Sequence, residues 1–261
     1  MTGIRRIWII AVLSALSGSA LAWDYSSEAA TATHSAQIRV GAEFTKKWHN
    51  GIRLGVSEEL RSDVYNSATG AAFRNSFTTL TFAYSPISYV KLDAGYTLKI
   101  TNKGVLDANE LLRHRVFMSV TGSYKSTYVK LMLRERALME ARTDSINPLE
   151  KNRYNWQLRS KIGAEFIIPY RPVKPYVWCE LINTLNAPEY QQCNGHQFIS
   201  DVRTQAGVKW RLTQRSSLDF YYRFTYSYDR NVNITKKKHL NELTEETLYQ
   251  HSIGVTYNLD W

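Results

Sequence analysis

Long apolar runs are missing from this sequence, and proline is scarce. Apart from a short stretch near the N-terminus, no run approaches the roughly twenty apolar residues that a membrane helix needs, and the mean hydropathy is −0.37. We therefore expect no membrane-spanning helix. The 6 prolines rarely interrupt the chain, which suits long β-strands because proline cannot donate to a strand ladder.

Cysteine is nearly absent as well, with only Cys179 and Cys193. These two residues form neither a CxxC pair nor a metal-spaced cluster, so we predict no bound metal and no cofactor. In an oxidising compartment they could pair, but closeness in sequence does not supply the geometry of a disulfide. The sequence leaves their pairing open.

Catalytic motifs are the third absence. The chain has no G-x-S-x-G, H-E-x-x-H, P-loop or G-x-G-x-x-G. His251 and Ser252 are neighbours on a predicted strand, so their side chains point to opposite faces and cannot form a catalytic pair. We expect no enzyme, although a hydrolase built only from carboxylates leaves no sequence signature and stays open.

What the sequence does have begins with the features of an export signal. Arg5 and Arg6 precede a short apolar stretch at 7–16, and Ala20-Leu21-Ala22 fits an A-x-A cleavage site. We predict a signal peptide over 1–22, cleaved after Ala22, and an exported domain over 23–261.

The last thirteen residues form a strand pattern with one apolar and one polar face. Every second residue from the end backwards is apolar or aromatic: Trp261, Leu259, Tyr257, Val255, Ile253, His251 and Tyr249. This length suits a tilted transmembrane strand. A terminal aromatic strand with Tyr257, Leu259 and Trp261 resembles the signal that the outer-membrane barrel assembly machinery recognises, with tryptophan in place of the usual phenylalanine.

The same alternation recurs from Ser35 onwards, and short turns alternate with longer polar loops between the strands. The longer loops are predicted at 62–72, 101–109, 139–152, 186–197 and 230–247. That rhythm is typical of bacterial outer-membrane barrels, and a periplasmic β-sandwich is the runner-up. Eleven strands can be counted, and a weakly alternating segment at 23–34 is the candidate for another. We predict an all-β, transmembrane, antiparallel up-and-down β-barrel of about 12 strands (10–12) in the bacterial cell outer membrane.

Four short motifs, in this order and spacing, carry a family resemblance: EELR at 58–61, RHR at 113–115, PYVxxEL at 175–181 and FYYR at 220–223. Together they resemble DUF2490, a large family of predicted outer-membrane β-barrels with a domain of unknown function. The resemblance implies the fold and the location. It transfers no functional residues, because the family has no established activity.

The predicted lumen face is strongly basic. Its cations are Arg39, Arg53, Arg61, Lys91, Lys99, Arg113, Arg115, Lys130, Arg134, Arg136, Arg153, Arg159, Lys161, Arg203, Lys209, Arg211 and Arg223. Its carboxylates are Glu43, Glu59, Asp93, Glu165, Glu180, Asp201, Asp219 and Asp229. Guanidinium groups bind carboxylates and phosphates and repel cations, so we predict a narrow porin-like channel for small anionic solutes. The alternatives are a non-conducting structural or surface-interaction barrel, whose interior pairs its own charges, and an outer-membrane hydrolase.

The partners follow from this location. We expect contacts with the lipid bilayer, with the assembly machinery and with lipopolysaccharide, which the lysines at 236–238 could meet. The formal net charge of +10 does not indicate nucleic-acid binding, because the charges recur at period two along many strands and export removes that partner.

Overall fold

The architecture comes from a computed structural model that describes residues 30–67, 72–102, 112–142, 152–188, 198–234 and 240–261. The predicted cleavage site at Ala22, the residue Cys193 and the lysines at 236–238 lie outside these ranges. Among the described residues, no helix is long and apolar enough to cross a bilayer.

The described chain is a succession of eleven β-strands. Their bounds are β1 Ala30–Lys47, β2 Ile52–Asn66, β3 Ala72–Ile87, β4 Val90–Thr101, β5 Leu112–Lys125, β6 Val129–Arg142, β7 Tyr154–Phe166, β8 Val173–Thr184, β9 Phe198–Arg211, β10 Ser216–Ile234 and β11 Leu240–Asp260. Even β4 and β8, with 12 residues each, exceed the roughly 9–11 residues that a tilted transmembrane strand needs.

The strands form one closed barrel, which confirms the predicted fold class and excludes two packed sheets. Each strand pairs antiparallel with the next along the chain, and β1 closes the barrel by pairing with β11 in parallel. With an odd number of strands, such a parallel seam is unavoidable. The segment at 23–34 supplies no separate strand among the described residues, because 30–34 extend β1; the count there is eleven, one below our estimate.

Side chains alternate between the two surfaces of the wall, as the sequence pattern predicts. Apolar side chains such as Leu80, Phe82 and Ile162 are exposed on the outside, whereas Asp93, Gln205 and Ser252 are buried on the inside. An apolar outer belt around a polar interior is the arrangement that a bilayer requires of a barrel.

The two ends of the barrel differ less in loop length than the sequence indicates. The strand ends at the C-terminal side of the barrel are joined by short turns, such as 48–51 and 88–89, and Trp261 lies at this end. At the other end β10 and β11 run on to Ile234 and Leu240, so most of the predicted loop at 230–247 is a long hairpin. The residues of this hairpin are mostly polar, so the segment looks like a loop in the sequence.

Candidate functional site in the barrel interior

The predicted lumen residues lie on inward positions. In the basic set these are Arg53, Arg61, Arg113, Arg115, Lys130, Arg134, Arg136, Arg159, Arg203, Arg211 and Arg223, and in the acidic set Glu59, Asp93, Glu165, Glu180, Asp201 and Asp219. Tyr257, Leu259 and Trp261 occupy the outward positions at the end of β11 and just after it. Their role in assembly remains a prediction.

Three inward carboxylates each bind two guanidinium groups. Glu59 pairs with Arg61 and, at 3.9 Å, with Arg39; Glu140 pairs with Arg113 at 3.0 Å and Arg115 at 2.5 Å; Glu180 pairs with Arg134 at 2.7 Å and Arg203 at 3.8 Å. Glu140 and Glu180 are nearly fully buried. Pairing of this kind offsets part of the cost of burying each carboxylate. Arg203 also pairs with Asp201 at 3.5 Å, so the group around Glu180 balances its own charges.

Amide groups join the charged ones beside the seam. Arg39 donates to Oε1 of Gln37 at 3.1 Å and to Oε1 of Gln250 at 3.0 Å. Gln37 in turn donates to Asp63 at 2.7 Å, and Gln250 donates to Ser35 at 3.2 Å. These five buried residues, which we call the seam network, connect β1 with both of its neighbours, β2 and β11.

Inward aromatic rings lie flat against the wall at glycines. A Cβ added to Gly95 would lie 2.4 Å from Cζ of Phe117, one on Gly207 would lie 2.7 Å from Cζ of Tyr176, and one on Gly254 would lie 2.1 Å from Cζ of Tyr221. Only glycine therefore leaves room for these rings on the neighbouring strand. The rings fill space next to the wall instead of projecting across the lumen.

Several cations rest on these aromatic side chains. The guanidinium of Arg136 is 4.1 Å from the ring centre of Phe117, and that of Arg61 is 4.0 Å from Phe77. The ammonium of Lys161 is 3.5 Å from the ring centre of Trp178. Cation–π contacts fix these side chains without neutralising them.

Four inward cations lie side by side on β6 and β7. Arg134 lies opposite Lys161, and Arg136 lies opposite Arg159; we call these four residues the basic wall. Arg134 binds Glu180, whereas Arg159 hydrogen-bonds Gln157 at 2.8 Å. Within the described ranges, Arg136, Arg159 and Lys161 form no ion pair with a carboxylate.

Sequence reasoning missed two inward carboxylates. It also missed the glycines that leave room for the inward aromatic rings and the buried glutamines of the seam network. Glu140 and Asp63 fall in segments that we expected to be loops, but β6 continues to Arg142 and β2 to Asn66. The length of β5 was the available signal. Arg113, near the start of β5, needs a backbone partner on β6, and pairing along the whole of β5 extends β6 to Arg142. The histidines His114 and His251 lie on the outside and contact the hydroxyls of Tyr96 and Tyr222 at 2.5 and 2.6 Å.

These features define a closed, mostly antiparallel β-barrel with an apolar outside and a cation-rich interior. A family model described as a protein of unknown function, DUF2490, matches residues 35–236. The chain belongs to this family, and the resemblance found in the sequence is confirmed.

Two other comparisons complete the picture. The crystal structure of the NanC porin matches with a TM-score of 0.45 and 11% sequence identity, over 84% of this chain and 97% of that chain. Among curated proteins, no sequence matches this chain.

Proposed function

We propose that this protein is a bacterial outer-membrane channel whose basic interior passes small anionic solutes. The observation that carries the proposal is the basic wall, where Arg136, Arg159 and Lys161 have no carboxylate partner among the described residues. Their side chains are partly exposed. A cation that is fixed in place, partly exposed and without an ion-paired carboxylate attracts anions and repels other cations.

The position of the aromatic rings supports an accessible path. Phe117, Tyr176 and Tyr221 occupy the space left by glycines at the wall. About eleven strands lie between eight-stranded barrels, whose interiors are filled by side chains, and sixteen-stranded porins, which are open. A barrel of this intermediate size is expected to enclose a narrow passage lined by side chains.

A membrane location is supported by the outer surface. Large apolar side chains are exposed around the barrel, for example Leu80, Ile162 and Ile253. Contiguous exposed apolar surface marks a contact with lipid or protein, and a closed strand array satisfies its backbone without water.

A non-conducting structural barrel is the second candidate. It is favoured by the internal pairing of Glu59, Glu140 and Glu180 and by the burial of Gln37, Arg39 and Gln250. A hydrolase has less support: the inward Ser252 and the outward His251 lie on opposite surfaces of β11.

The test is single-channel recording of the refolded protein in planar bilayers under a salt gradient. The informative variant is Arg136→Gln with Arg159→Gln, because neither side chain binds a carboxylate among the described residues and their loss leaves no acid stranded. The matched control is Arg171→Gln with Arg215→Gln, two exposed turn residues of the same charge.

We expect stable conductance steps and an anion-selective reversal potential that falls in the wall variant but not in the control. Heat-modifiable gel mobility establishes that each protein is folded. A silent bilayer with folded protein would refute the channel and support the structural barrel.

A further inference from the structure

We infer that the basic wall is a binding site for compact anions that carry two or more negative charges, such as pyrophosphate or a small tricarboxylate. This inference rests on the proposed function, since it names the class of solute that the interior would hold. It is carried by the pairing of β6 with β7, by the contacts of the four cations and by the burial of the neighbouring rings.

Like charges face each other directly across these strands. Arg134 lies opposite Lys161, and Arg136 lies opposite Arg159. Directly opposed like charges destabilise a pair of strands. Glu180 offsets part of this repulsion, because it pairs with Arg134 and lies opposite Lys161 on β8. One carboxylate does not balance the four cations, and Glu180 also contacts Arg203. A bound anion with several charges would relieve the repulsion that remains, whereas a monovalent anion would relieve only a fraction of it.

The cations are held in place before any solute arrives. Lys161 lies 3.5 Å from the Trp178 ring centre, and Arg136 lies 4.1 Å from that of Phe117. Gln157 accepts hydrogen bonds from Nε and Nη2 of Arg159 at 3.3 and 2.8 Å. Side chains that are already ordered lose little conformational entropy on binding, so little of the electrostatic attraction to the anion is offset by that cost.

The same contacts argue against sugar recognition by stacking. Phe117 is only 4% exposed and Trp178 only 8%. The ring of Phe117 touches Gly95 on the wall and carries Arg136 on its face, and Trp178 carries Lys161. Neither ring offers a free face to a solute. Charge density, and not an apolar ring surface, is what this wall presents.

The experiment is calorimetric titration of pyrophosphate into folded protein in neutral detergent at low salt, together with block of the chloride current in bilayers. We expect pyrophosphate to bind at least about tenfold more tightly than acetate. The affinity should fall at least about tenfold in Arg136→Gln with Arg159→Gln. It should change less than about twofold in the control Arg171→Gln with Arg215→Gln, whose charges are exposed and screened.

A charge-keeping variant guards against a folding artefact. Arg136→Lys with Arg159→Lys keeps both charges, so it should retain affinity within about threefold, because point charges replace the planar groups. Loss of binding in this folded variant, equal to the loss in the glutamine variant, would count against recognition by charge.

The outcomes separate the site from the channel. Binding that is unaffected by the glutamine variant, or no binding at all, overturns the site even if the bilayer conducts. Pyrophosphate binding with a silent bilayer supports the site and refutes the channel. Conductance that pyrophosphate blocks in the wild type, but not in the glutamine variant, supports both.

Discussion

The seam network and the basic wall are both polar, but they use arginine in different ways. At the seam, Arg39 is 3% exposed and is surrounded by the amides of Gln37 and Gln250 and the carboxylate of Glu59. On the basic wall, Arg159 has only the amide of Gln157 as a hydrogen-bond partner among the described residues. The first arrangement surrounds the terminal nitrogens of the guanidinium with acceptors of the barrel itself, and the second leaves donors available.

This difference follows from what each region must do. Parallel strand pairs are slightly less stable per residue than antiparallel ones, and β1 with β11 is the parallel pair. Side-chain hydrogen bonds that cross from β1 to both neighbours reinforce this closure. The antiparallel pair of β6 and β7 has no such need, so its cations are available for the solute binding proposed above. If the proposed site is correct, stability and solute binding reside in different parts of the interior.

The sharpest way to break this comparison is to remove one arginine from each region. Arg39→Met removes a buried charge and strands Gln37 and Gln250, so we expect a loss of about 3 kcal/mol in the free energy of unfolding. Arg159→Met removes a partly exposed cation that repels its neighbours, so we expect a change below about 1 kcal/mol. Urea titration in phospholipid vesicles measures both. Equal losses would show that the two regions are energetically alike.

The second prediction concerns the packing beside the seam. Gly254→Ala places a Cβ 2.1 Å from the ring of Tyr221, and we expect a loss of about 2 kcal/mol because overpacking forces the ring to move. Gly55→Ala is the control, since the nearest atom to its added Cβ is 3.5 Å away. We expect that variant to stay within about 0.5 kcal/mol of the wild type. Similar losses in both would place the cost in strand conformation, not in the ring contact.

The barrel itself could be predicted because alternation at period two is a local property. Strands such as β7 and β9 show it in almost every residue, and their predicted inward and outward faces match the structure. The parallel seam could not be predicted in this way. Which strand closes the barrel depends on the pairing of β1 with β11, more than two hundred residues apart, and no local pattern encodes it.

The candidate site was partly visible in the sequence. The alternation of apolar and polar residues along each strand shows which cations point inward, but not which of them meet a carboxylate. Arg134 reaches across β7 to Glu180 on β8, while Arg136, two residues away on the same strand, rests on Phe117 instead. Which partner each arginine meets depends on how far its side chain reaches across the curved wall. The aromatic contacts at glycines likewise depend on strand register, which the sequence does not show.

The smallest predicted effect tests whether charge on β6 is sorted by surface. Arg134, Glu135 and Arg136 are consecutive, so their charges nearly cancel in sequence. In the structure Glu135 points outward and accepts a hydrogen bond from Ser160 at 2.7 Å, near the middle of the strand. It therefore cannot neutralise the inward arginines beside it.

Glu135→Gln should accordingly leave the interior unchanged. Because glutamine can still accept from Ser160 and no longer places a carboxyl group on the apolar outer surface, we expect the free energy of unfolding to stay within about 0.5 kcal/mol of the wild type, or slightly higher. Pyrophosphate affinity should also be unaltered. Urea titration and calorimetry on the same preparation measure the two quantities. A change of several-fold in affinity would mean that Glu135 senses the lumen through the wall, and the division of β6 into a lipid surface and a solute surface would then fail.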